Sequence, residues 1–83
     1  MDREIVLQHA APWVRGDVTF VAIHIYAPAG GPITVTLGVD ADQEMDYDLT
    51  IGDTFSVRGE TWVLDRVEGH LSRDYRVFLR QVE

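Results

Sequence analysis

The chain has 83 residues, 46% of them hydrophobic and 25% charged, which is ordinary globular composition and far from the disordered regime. It contains no cysteine, so disulfides, thiolate metal sites and a cysteine nucleophile are excluded. The formal charge of −7 argues against binding a nucleic-acid backbone, which needs clustered basic residues, and against adsorption to anionic membranes.

This length predicts one domain over residues 1–83, with a small core, because so short a chain buries only about 60% of its unfolded surface. The chain opens Met-Asp-Arg-Glu and has no apolar run longer than a strand. Neither a signal peptide nor a membrane span is therefore expected, and the expected compartment is the cytoplasm. All seven basic residues are Arg, and Lys and Asn are absent. Codons for Lys and Asn are AT-rich, so the bias points to a high-GC bacterial genome.

Hydrophobic alternation of period two runs along the chain. REIVLQH (3–9) reads as a first strand, and APWVRGD (11–17), marked by Pro12 and Gly16, as a connection. VTFVAIHIYA (18–27) is the strongest strand signal, crowded with β-branched and aromatic residues. Val21, Ile23 and Ile25 form one face of it, which suits the interior; Phe20, Ala22, His24 and Tyr26 form the other. PAGGP (28–32) reads as a turn. ITVTLGV (33–39) and DYDLTI (46–51) alternate cleanly, with Tyr47, Leu49 and Ile51 expected inward. TFSVR (54–58) and TWVLDRV (61–67) flank Gly59 as a hairpin, and YRVFLRQV (75–82) closes the chain. A helix through Leu64, Val67 and Leu71 is the rival for one stretch, but Gly69 would weaken it by about 1 kcal/mol. The expected fold is all-β: a small antiparallel β-sandwich or partly open β-barrel of about seven short strands, helix-free outside a turn near Gly69 to Asp74, with no internal repeat.

The stretch LTIGDTFSVRGETWVLDRV (49–67) resembles the hairpin of small, uncharacterised all-β domains encoded by high-GC actinobacteria. In that pattern Gly52 and Gly59 supply φ > 0 and Asp53 bonds to nearby backbone N–H groups. The resemblance implies a fold and no catalytic residue.

VDADQEMDYDLTIGDTF (39–55) carries Asp40, Asp42, Glu44, Asp46 and Asp48 at every second position, with Asp53 close behind. On an extended strand such carboxylates repeat at roughly 6.7 Å along one face and repel one another, so a turn is expected across DADQE. Asp46 and Asp48 then lie on the outer face of the next strand. A calcium loop needs converging oxygens, and Met45 and Ile51 stand where an EF-hand would require Gly and Glu. No basic residue lies between Arg15 and Arg58, whereas residues 58 to 80 carry five arginines. Either the two regions pair across strands or the protein has an acidic pole.

Other chemistry has little support. His24 is read as a half-exposed strand residue, and no motif links it to His9 or His70 as a zinc set. Ser56 and Ser72 lie in no Gly-x-Ser-x-Gly elbow, and AGGP lacks the Lys and helix of a phosphate loop. No enzyme activity, cofactor or metal is expected. The expected function is a non-catalytic protein-binding or assembly module with an acidic surface, its partner another protein or a copy of itself, with no nucleic acid and no membrane. Its surface would be Phe20, His24, Tyr26, Asp46 and Asp48. The alternative is a β domain that binds a small ligand or divalent cation.

Overall fold

The computed structural model describes residues 4–8, 11–69 and 74–82. Among the described residues there are eight strands and no helix: β1 (Glu4–Gln8), β2 (Trp13–Arg15), β3 (Val18–Tyr26), β4 (Thr34–Asp40), β5 (Glu44–Thr50), β6 (Thr54–Val57), β7 (Glu60–Glu68) and β8 (Arg76–Val82). They form two antiparallel four-stranded sheets, ordered β1-β8-β7-β6 and β2-β3-β4-β5, packed face to face and not closed into a barrel. The expected all-β class holds, with one strand more than expected. β2 is the addition: three residues between Pro12 and Gly16 are too few to display a period. The helical rival fails, because β7 runs extended through Leu64 and Val67. Residues 70–73, with most of the turn expected near Gly69 to Asp74, lie outside the described residues.

Short loops set the registers. Val57 pairs with Glu60, so Arg58 and Gly59 alone make the β6–β7 turn, at φ 53° and 77°. Positive φ at both positions is the I′ geometry that matches strand twist, and Gly59 adopts it without steric cost. Arg58 is the one non-glycine at positive φ among the described residues. Its guanidinium is held by Asp17 at 2.7 Å and Asp42 at 3.0 Å, drawing three turns together at one end of the sandwich.

The two sheets are structural counterparts. β3 and β7 each have nine residues and one bulge, between Ala22 and His24 and between Leu64 and Arg66. Ala22 pairs with Leu37 as Leu64 pairs with Leu79, and Val35 pairs with Leu49 as Val77 pairs with Leu7. Residues 22 and 64, 35 and 77, and 37 and 79 are each 42 apart, and so are 7 and 49. No repeat was expected from the residues, since most equivalent positions differ in identity; the repeat lies in strand lengths, bulges and registers. Phe20 and Trp62 are equivalent under it, and they meet edge to face at 5.9 Å in the centre of the core. Phe55 and Tyr47 extend the aromatic run, with Phe20–Phe55 at 6.5 Å and Tyr47–Phe55 at 5.4 Å.

The faces of β3 are therefore reversed from those expected up to the bulge, whereas beyond it Ile25 is inward and His24 and Tyr26 outward as expected. Phe20 is 2% exposed and Ala22 3%, whereas Ile23 is 51% exposed. Ile23 is the extra residue of the bulge, and beyond it the inward set changes parity, so that Ile25 opposite Val35 packs on the core. β-Branching marks strand propensity; it does not say which face is inside. The burial of Phe20 removes it from any partner surface. Ile51, expected inward, lies in the turn after β5 and is 51% exposed.

The β5–β6 corner is tied locally. Asp53 Oδ2 accepts hydrogen bonds from the Thr50 backbone N–H at 2.9 Å and the Thr50 hydroxyl at 3.0 Å. Those donors hold the Asp53 carboxyl below its ordinary value of 3.8, the backbone N–H contributing most.

Two outcomes are expected from denaturant titrations. Phe20→Ala lowers stability by about 3–5 kcal/mol and Ile23→Ala by about 0.5 kcal/mol or less; the reverse order would refute the burial pattern. A depressed folded-state value at Asp53 contributes stability above the unfolded value that is lost as pH falls through the folded one. The difference in urea midpoint between wild type and Asp53→Asn should be full above about pH 5 and gone near pH 1.

Candidate functional site

Pairing places residues in rows across the outer face of the β2–β5 sheet. Val14, Thr19, Asp40 and Glu44 form one row, and Val21, Gly38 and Asp46 the next. His24, Thr36 and Asp48 form a third, and Tyr26, Thr34 and Thr50 a fourth. The face thus runs from apolar and aromatic on β3 to acidic on β5. Ile23 and Tyr26 are 51% and 59% exposed, and Val14 66%. Of the five residues expected at a partner surface, the structure brings His24, Tyr26, Asp46 and Asp48 onto this one face. Phe20 is on the other side of the strand. Ile23 and Val14 were missed; no residue pattern marks a bulge, and Val14 lies on the unrecognised β2.

Gly38 shapes the middle of the face. A Cβ there would stand 2.9 Å from Ile23 Cδ1 and 3.0 Å from Val21 Cγ1, so its absence lets both side chains lean across β4. They border a shallow groove of about 200 Å³ that Asp40, Glu44 and Asp46 close on the far side.

The expected turn across DADQE is present at residues 41–43, and Asp46 and Asp48 lie on the outer face of β5 as expected. Asp42 pairs with Arg58, and Asp48 Oδ1 accepts the Thr36 hydroxyl at 2.8 Å. Asp40, Glu44, Asp46 and Asp48 have no basic side chain within ion-pair distance among the described residues. The expected pairing across strands does not occur: Arg58 meets Asp17 and Asp42 from turn to turn, and the acids of β5 form a row along the strand. Along that strand the carboxylates splay; among the described residues no three His, Asp or Glu side chains gather as a metal set. His9 and His70 lie outside the described residues.

The opposite sheet has a covered outer face. Phe78, the counterpart of Thr36, is only 6% exposed because the Arg66 guanidinium lies 3.8 Å above its ring. Arg66 is held there by Glu68 at 3.1 Å and Asp65 at 2.7 Å, with Glu4 at 3.7 Å. Asp65 also reaches Arg80, so these arginines are used on their own sheet.

A second concavity, of about 410 Å³, lies where β5 and β6 form the edges of the two sheets. Val39, Met45, Tyr47 and Val57 line it, with Asp42 and Arg58 at its rim.

Residues 2–83 match the model of a family of unknown function, DUF6406. The chain belongs to that family. No curated protein and no solved structure matches this family member. Among its described residues no helix is long and apolar enough to cross a membrane.

Removing charge from β5 should relieve repulsion. Asp46→Asn with Asp48→Asn is expected to leave the melting temperature unchanged or raised at low salt, the gain shrinking near 1 M salt, where the screening length is about 3 Å. A clear fall would refute the reading of these acids as a mutually repelling surface, and micromolar Ca²⁺ affinity in calorimetry that this variant loses would show them to be a cation site.

Proposed function

We propose that this protein is a non-catalytic protein-interaction module whose contact surface is the outer face of the β2–β5 sheet. The asymmetry of two equivalent faces carries the reading. One is sealed by Arg66 over Phe78, whereas the other leaves Val14, Ile23 and Tyr26 exposed beside a row of acids without an ion-pair partner among the described residues. Aromatic and aliphatic anchors with a charged rim are the composition of a contact surface.

A non-catalytic role is supported by the lack of a buried carboxylate or histidine among the described residues; the desolvated acid there is Tyr75, and burial pushes its hydroxyl above its ordinary 10.0. Ser56 Oγ lies 3.5 Å from Thr61 Oγ1 on an exposed surface. With −7 on the chain and acids bordering the contact face, a partner other than a second copy is favoured.

The test is capture from native-host extract on immobilised wild type and on Ile23→Ser with Tyr26→Ser, with molar mass by light scattering in parallel. The expected result is a defined protein retained by wild type, lost with the variant, and a monomeric wild type. Identical capture by both proteins, with the variant folded by circular dichroism, would refute the surface. A dimer that the variant abolishes would make the partner a second copy.

A further inference from the structure

A sheet can grow only at its edges, where backbone N–H and C=O groups are unpaired. Among the described residues the β2–β5 sheet ends at β5, whose seven residues pair with β4 on one side. Met45 and Tyr47 belong to its inward side, opposite Val39 and Leu37. Val39 is 3% exposed, yet Met45 is 45% exposed, because the corner groove beside it is unfilled. The other side of the same strand carries Glu44, Asp46 and Asp48. One edge therefore presents an apolar row and an acidic row at the two-residue repeat of an extended chain.

We propose that β5 accepts an extended segment of a partner protein in which Arg or Lys alternates with apolar residues. Its backbone continues the sheet, its apolar side chains enter the groove against Met45 and Tyr47, and its basic side chains lie beside Glu44, Asp46 and Asp48. Charge selects this occupant: the β5 of a second copy would place acids beside acids. The inference rests on the reading that the acidic sheet is a contact surface, and it names the partner chemistry.

The probe is a seven-residue peptide alternating Arg with Val, titrated at low salt into the ¹⁵N-labelled full chain. Shift changes should concentrate on β5 and the groove residues. A peptide of the same composition with its arginines in one block should bind at least about tenfold more weakly, a difference of about 1.4 kcal/mol. Asp46→Lys with Asp48→Lys should transfer the preference to a peptide alternating Glu with Val. Equal affinity for the blocked peptide would reduce the effect to diffuse charge and overturn the proposal. So would shifts confined to Ile23 and Tyr26, self-association without peptide, or no binding. The wild-type map decides even if the charge-reversed variant does not fold. Absent peptide binding together with capture that depends on Ile23 and Tyr26 would remove the edge and leave the contact face standing.

Discussion

The edge-to-face contact of Phe20 with Trp62 is the interaction on which the sandwich depends. Each ring comes from the long bulged strand of its sheet, at equivalent positions, so the contact joins the two sheets at their shared centre. Among the described residues the buried Trp62 Nε1 has no hydrogen-bond partner, which costs about 1–3 kcal/mol. Burying an indole of about 200 Å² returns about 5 kcal/mol at about 25 cal/mol per Å², so filling the core wins. The Arg15 guanidinium lies 5.4 Å from the Trp62 ring centroid and bonds Glu60 at 2.8 Å, closing one margin of the core with a partly buried ion pair.

Around that centre the two halves keep the same backbone and diverge in surface chemistry. Arg66 on Phe78 seals one outer face, while His24 on Thr36 has no ring to cover. Gly38 stands where Arg80 stands in the other half, and the space it leaves is taken by Val21 and Ile23. A duplicated architecture can thus hold its core on one set of positions and vary its surface on another, since alternate residues of a strand point to opposite sides.

The acids of β5 illustrate how strand position changes the meaning of a charge run. On an interior strand they would repel without benefit. On an edge strand they discourage pairing with a like edge, a hazard of open sheets, and in the proposed docking they would favour a positively charged segment. The inward Met45 and Tyr47 on the same strand line the groove beside that edge.

The sequence by itself determined the all-β class, a hairpin turn at Gly59, an Asp53 carboxylate bonded to nearby backbone N–H groups, a turn across DADQE and the outward place of Asp46 and Asp48. Each follows from local rules: two-residue alternation, glycine at positive φ, a short acidic side chain beside free N–H groups. Tertiary structure alone decided which side of β3 is inside, because alternation defines two faces without ranking them, and the ring of Trp62 in the other sheet chose Phe20. It also placed the bulge that exposes Ile23, the pairing that makes Trp13–Arg15 a strand, and the position of β5 at an edge. The choice of Phe20 depends on Trp62, 42 residues on, and the bulge on partners in β4, 12 or more residues on; the partners of β2 lie within seven residues, but three residues are too few to show a period.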